Sequence, residues 1–214
     1  MKAKGLITAM AATAFAAAGA LPGTASATLY TFGCITNNSA TNCSAGQAQL
    51  SMDVTAFGSG VRFLFANSGP AASSVEQVFF DDGVLASSTM TIQNGTGVDF
   101  QKDTSPGNLP GGNSISPPFV TTFSFSAEPP PTSNGINPGE TLGLVFSGGS
   151  VSLSNVLNNL NSGDLRVGLH VIAFANGGSE SFVNRPPVPE PGTMSLLAAG
   201  LLGLGGVARR KMRR

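Results

Sequence analysis

His170 is the only histidine in the 214-residue chain, and it lies in the run Leu165–Phe174 (LRVGLHVIAF), four residues after Arg166. An imidazole that works as a general base needs a nucleophile on one side and an orienting carboxylate on the other. Gly177-Gly178-Ser179-Glu180-Ser181 has the opening spacing of a nucleophile elbow, but it ends in Ser where the second Gly belongs and no helical pattern follows. Cys34 and Cys43 are the only cysteines, and they enclose eight residues (ITNNSATN). That spacing is not C-x-x-C and no histidine is near, so a zinc or redox centre lacks its usual ligands. A disulfide pinning a short Asn/Ser/Thr loop is the expectation. Among the acids, Asp81-Asp82 precedes Gly83 and reads as a turn, while Asp99 and Asp103 flank one loop. Loop carboxylates can hold Ca²⁺, but no D-x-D-x-D-G loop is present. Ten acids scattered between residues 28 and 188 single out no pair for glycoside hydrolysis. With no Trp and one Tyr, Tyr30, stacking platforms for sugars are scarce. These residues predict a non-enzymatic chain with no catalytic set, no cofactor and no metal.

The elements that would position such groups are mostly strands. Gln47–Thr55 alternates, with Ala48, Leu50, Met52 and Val54 on one face, and Val61–Ala66 follows the turn-forming Gly58-Ser59-Gly60, which predicts a hairpin. Val75–Asp81 and Val84–Gln93 flank Asp82-Gly83 and predict a second hairpin. Phe119–Ala127 alternates with Phe119, Phe123 and Phe125 on one side, and Thr141–Ser147 is a short apolar run. In Leu165–Phe174 the apolar face is Leu165, Val167, Leu169, Val171 and Ala173, so His170 falls on the opposite face. One segment has helical spacing: Leu153, Val156, Leu157 and Leu160, with Ser152 as N-cap and Gly163 as stop. The sum is a mainly β body, an antiparallel β-sandwich (jelly-roll-like or Ig-like) with one short helix. Residues 103–118 and 128–139, rich in Pro and Gly, must be long loops and are the first places to look for a binding surface.

Charge is sorted along the chain. The sequence carries 11 Lys+Arg and 11 Asp+Glu, yet between Thr28 and Val188 four basic residues face ten acidic ones, a net of −6. A body so poor in basic residues speaks against nucleic acid as a partner. The bases collect at the two ends. Lys2 and Lys4 precede an uncharged run from Leu6 to Leu21, Pro22-Gly23 breaks it, and Ala25-Ser26-Ala27 supplies small residues for cleavage before Thr28. This is the order of a secretory signal peptide over residues 1–27, removed by signal peptidase. The alternative is an uncleaved membrane helix.

At the other end, NRPPVPEPG (184–192) carries four prolines that no strand or helix accommodates. Residues 193–208 are then uncharged and rich in Leu, Ala and Gly, and they run into Arg209, Arg210, Lys211, Arg213 and Arg214. Sixteen helical residues rise about 24 Å, a short membrane span that flanking arginines can complete by snorkelling. The basic cluster falls where the cytoplasmic end of a span belongs. An apolar helix packed on the core, the alternative, leaves both the basic cluster and the proline lead-in without a cause.

Val188-Pro189-Glu190-Pro191, followed by Gly192, a short apolar span and a terminal Arg cluster, resembles the PEP-CTERM sorting signal of exported proteins in Gram-negative bacteria. The resemblance covers residues 187–214 and implies an exosortase as partner. It also implies transient insertion in the inner membrane, removal of the tail, and delivery to the cell surface or the exterior. Such proteins are often associated with biofilm and extracellular polysaccharide, which makes polysaccharide a candidate partner of the body. The expected organisation is therefore a signal peptide (1–27), a β-sandwich body (28–184) and a sorting signal (185–214). The expected role is that of a structural protein of surface or matrix, with a carbohydrate-binding or adhesive module as the alternative.

Overall fold

The computed structural model describes residues 27–187, and these form a mainly β body. Ten strands follow in chain order: β1 (Thr28–Cys34), β2 (Leu50–Phe57), β3 (Gly60–Asn67), β4 (Ser74–Asp82), β5 (Thr89–Asn94), β6 (Phe100–Lys102), β7 (Phe123–Ala127), β8 (Thr141–Ser147), β9 (Leu165–Ile172) and β10 (Glu180–Asn184). Three helices interrupt them: α1 (Ala40–Gln49), α2 (Pro131–Asn134) and α3 (Leu153–Ser162). Every pairing is antiparallel, in the order β5-β8-β3-β2-β1-β10-β9-β4-β7-β6. β1 joins two sheets. Its first half, Thr28–Thr31, pairs with β2, and its second half, Phe32–Cys34, pairs with β10. The near sheet is then β5-β8-β3-β2-β1 and the far sheet β1-β10-β9-β4-β7-β6. Their free edges meet where the Asn94 side chain accepts from the Phe100 N–H at 3.0 Å, so the sandwich is nearly a closed barrel.

Alternation explains the core. Met52 and Val54 of β2, Phe63 and Phe65 of β3, and Val167, Leu169 and Val171 of β9 are all buried, and their chain neighbours face outward. Phe80 of β4 is the hub between the sheets. It lies within 4.8–6.1 Å of the rings of Phe63, Phe123, Phe125 and Phe146, in mostly edge-on contacts. The β2–β3 hairpin forms as its sequence predicts, with Gly58 supplying the positive φ (57°) of a two-residue turn. α3 also forms as predicted. The Ser152 side chain accepts from the Asn155 N–H, and Gly163 ends the helix at φ 84°. Val156 and Leu160 plug one end of the sandwich.

Three expectations are corrected. The loop between the cysteines is the entry to a helix: α1 spans Ala40–Gln49, so Ala48 is helical and exposed and the strand starts only at Leu50. The second hairpin does not exist. β4 pairs with β9 and β7, whereas β5 starts at Thr89 and pairs with β8 in the other sheet. Asp82 turns the chain here, its carboxylate accepting from the N–H groups of Val84 (2.6 Å) and Leu85 (2.5 Å). Phe119 is not on the face of Phe123 and Phe125. It joins Phe79, Leu109 and Val183 in a second small core on the outer side of the far sheet. The chain after Gly177-Gly178, which no periodicity marked, is a central strand, β10, between β1 and β9.

The antiparallel register gives the sandwich two distinct poles. Thr28, the β2–β3 turn, the ends of β4 and β8, the starts of β5 and β9, and the end of β10 share one pole, capped by α3. The disulfide, α1, α2 and the start of β10 share the other. Among the described residues no helix is long and apolar enough to cross a membrane.

Candidate functional site

The densest polar assembly lies at the pole of α1. Glu180, the first residue of β10, is 1% exposed, and among the described residues it forms no ion pair. Its carboxylate accepts from the hydroxyl of Thr36 (2.5 Å) and from the backbone N–H groups of Asn38 (3.0 Å) and Ser39 (2.6 Å). Ser39 is the N-cap of α1, and its side chain accepts from the Asn42 N–H. A buried carboxylate at a helix N-terminus meets free N–H donors and the positive end of the helix dipole, which together replace lost hydration. Cys34 and Cys43 form the disulfide, tying the end of β1 to the first turn of α1. Although both sulfurs lie close to Glu180, the S–S bond leaves neither as a metal-binding thiolate.

His170 sits on the outer face of the far sheet, as its phase predicts. Its Nδ1 lies 3.2 Å from Oε2 of Glu76. Burial pushes the imidazole below its ordinary value of 6.5, an effect that Glu76 partly offsets. Its cross-strand partner on β10 is Ser181, fully buried, whose Oγ has no hydrogen-bond partner. Ser181, His170 and Glu76 thus have the residue types of a nucleophile, base and orienter. The serine is sealed, however: its N–H is bound to the Thr36 hydroxyl at 3.0 Å and no solvent reaches the residue. A substrate carbonyl would have to enter between paired strands.

The same register continues across the sheet as Gln101, Ser126, Gln77 and His170, a row of amide, hydroxyl and imidazole groups on one open face. Gln77 donates to the Ser126 hydroxyl at 2.9 Å, which donates to Asp103 at 2.9 Å. Sequence reasoning missed this row because it depends on which strands are neighbours. Only the β-bulge between Val75 and Gln77 brings Glu76 to His170.

The two long loops are largely packed. In 103–122, Leu109 and Phe119 cover Gly168, where a Cβ would stand 2.6 Å from the Leu109 side chain. Arg166 pairs with Asp81 and stacks over Phe119 at 5.3 Å. What stays open is a shallow groove of about 460 Å³ beside Lys102, Asp103, Thr104, Pro106, Thr122 and Phe123. In 128–139, α2 and the buried Ile136 close the sandwich, and Ile136 exchanges backbone hydrogen bonds with Val75. Asp99 accepts from the Asn94 side chain, and it does not join Asp103 in a cluster.

Both chain ends leave from the pole opposite Glu180. β1 begins at Thr28, next to Ala27, the first described residue, while Ala25 and the rest of the predicted signal peptide lie outside the described residues. The last sheet hydrogen bond runs from the Arg185 N–H to the Thr31 carbonyl at 2.8 Å. Pro187 is the last described residue, so Val188, Pro189, Glu190 and Pro191, the apolar span and the Arg209, Arg210, Lys211, Arg213 and Arg214 cluster lie outside. The sequence there is decisive. Residues 187–214 match the PEP-CTERM protein-sorting motif. The chain is thus an exported protein that passes the membrane and is sorted through its C-terminus, with an exosortase as its processing partner. The match stops where the body begins. No curated protein and no solved structure matches the chain.

Proposed function

We propose that the PEP-CTERM tail delivers a non-enzymatic structural protein to the cell surface or extracellular matrix, after signal peptidase removes residues 1–27. The observation that carries this reading is that chemically capable groups of the body are engaged in holding it together. Glu180 caps α1, Asp82 closes a turn, the two cysteines are joined, and Ser181 is sealed under Thr36. A body of this kind suits the exterior, where a disulfide persists. The experiment is a double substitution, Pro189→Ala with Pro191→Ala, followed by cell fractionation. The altered protein should accumulate in the inner membrane with its tail intact, whereas the parent reaches the surface or medium. Normal processing of the double variant would refute the reading of the tail.

One observation favours a second reading, a carbohydrate-binding or adhesive module. The row Gln101, Ser126, Gln77 and His170 offers the donors and acceptors that sugar hydroxyls require, on a face that is not closed over. Retention of the protein on the producer's own polysaccharide, lost in Gln77→Ala, would support it. Equal elution of parent and variant would remove it.

A further inference from the structure

Among the described residues, four Asn or Gln side chains donate to a Ser hydroxyl: Gln49 and Asn67 to Ser73, Gln77 to Ser126, and Asn176 to Ser39. They differ in where the hydroxyl proton points. Ser73 turns its own toward the Ala71 carbonyl, and Ser39 caps α1 by accepting from the Asn42 N–H. Of these hydroxyls only that of Ser126 donates to a carboxylate, Oδ2 of Asp103, at 2.9 Å. The same Oγ accepts from Gln77 Nε2 at 2.9 Å. A hydroxyl whose proton points at a carboxylate, held against a primary carboxamide, has the parts of acyl transfer: a nucleophile, a base, and a carbonyl carbon bearing a group that can leave. Ser124 donates to the same Asp103 oxygen, but it stands opposite Phe79 and has no carboxamide beside it.

Gln77 and Ser126 are direct partners in the β4–β7 ladder, on the outer face of the far sheet. Directly opposed Cβ atoms lie about 4.5–5.5 Å apart, a gap that the four bonds of a Ser-to-Gln ester span without moving either strand. The amide carbon is one C–N bond of about 1.33 Å beyond Nε2, so it stands within about 4.2 Å of Oγ. A near-attack contact is about 3–3.5 Å. The terminal torsion of a Gln side chain is soft, so a turn of the amide plane presents the carbon in place of the N–H.

We propose that Gln77 and Ser126 form an intramolecular ester, with Asp103 as the proton carrier. Ser126 Oγ bonds to Gln77 Cδ while its proton passes to Asp103. The Cδ–Nε2 bond breaks, and the nitrogen takes that proton and leaves as ammonia. Hydroxyl plus carboxamide become ester plus ammonia, the carboxylate is restored, and no oxidant, metal or other reactant is consumed. The step occurs once per chain and is independent of the tail and its destination. Its product is a covalent staple between β4 and β7. The place suits one: β6, the last strand of the far sheet, has three residues and pairs with β7 alone, so that margin of the sheet is weakly held. A cross-link there stabilises by constraining the unfolded chain, as the Cys34–Cys43 disulfide does nearer the N-terminus.

The test is peptide mass analysis of the full chain, folded, then denatured and digested with trypsin. Cleavage after Arg62, Lys102 and Arg166 leaves Gln77 and Ser126 in separate peptides, 63–102 and 103–166. In the parent the two are expected as one linked species, lighter than their sum by one ammonia, and mild alkali should separate them. Ser126→Ala and Gln77→Ala should each abolish the linked species, and Asp103→Asn should leave most of the chain unlinked. Ser126→Ala removes one half-buried hydroxyl, and its circular dichroism should match the parent's, so that loss of the link is not loss of the fold. Separate peptides in the parent would overturn the proposal, even if one of them had lost ammonia internally. So would a linked species that persists in Ser126→Ala, or one that forms equally in Asp103→Asn.

Discussion

Replacing Glu180 by Gln separates a carboxylate that holds the fold from one kept for a ligand. The side chain is 1% exposed and its two oxygens take three donors: the Thr36 hydroxyl and the N–H groups of Asn38 and Ser39. A Gln of the same shape has one oxygen and one NH₂. Whichever way it is turned, the NH₂ faces a donor, so at least one buried N–H or O–H loses its acceptor. A hydrogen bond to a charged group contributes about 1.5–3 kcal/mol, and leaving a buried donor unpaired costs about 1–3 kcal/mol. Loss of the charge at the N-terminus of α1 adds a few tenths to about 1 kcal/mol. The cost of Glu180→Gln should thus be roughly 2–4 kcal/mol, a large part of a typical domain's stability. Urea unfolding of the oxidised protein, monitored by far-ultraviolet circular dichroism, measures it directly. A change below about 0.5 kcal/mol, within the range of ordinary surface substitutions, would refute the argument. It would mean that the donors find water and that the carboxylate is free for another partner.

Gly46 gives a prediction with an unexpected sign. In mid-helix, Gly→Ala ordinarily stabilises by about 0.5–1 kcal/mol, but a Cβ at 46 would lie 2.2 Å from the buried Phe182 ring. Gly46→Ala should therefore destabilise by about 1–3 kcal/mol, the range of overpacked cores, and a rise in Tm would contradict the packing. His170 predicts the pH profile. The folded state holds it below its ordinary value of 6.5, so below that pH the unfolded chain binds more protons and stability falls as pH falls; above about 6.5 the contribution is fully present. Asp82, raised above its ordinary 3.8 chiefly by burial, acts in the opposite direction at lower pH. Unfolding free energies across about pH 5 to 7.5 should show this slope in the parent and a flatter profile in His170→Gln, and equal slopes would rule His170 out.

What the sequence made legible depended on whether the signal was local. The sorting tail is compositional, a proline motif, an apolar run and a basic cluster in fixed order, and it needed no fold to be read. β3 and β9 were readable from their alternation, β8 as a short apolar run, and α3 because Leu153, Val156, Leu157 and Leu160 repeat over a capped segment. α1 was hidden for the opposite reason. ATNCSAGQAQ has little helical preference and no apolar stripe. It is helical because Cys43 is tied to β1, Glu180 binds the N–H groups at its entry, and Phe182 fills the space above Gly46. All three causes come from residues distant in sequence or from a covalent bond. The hairpin at Asp82-Gly83 failed similarly: the turn is real, but Leu85, fully buried, draws the chain across to the other sheet before β5 begins. The polar row is the extreme case, since Gln101, Ser126, Gln77 and His170 share a face only because β6, β7, β4 and β9 are neighbours out of sequence order. In an exported protein of this design the address is thus linear, while anything the body does resides in register. Changes to the Pro-rich motif should therefore affect destination and leave stability alone, and changes to Gln77 or His170 should do the reverse.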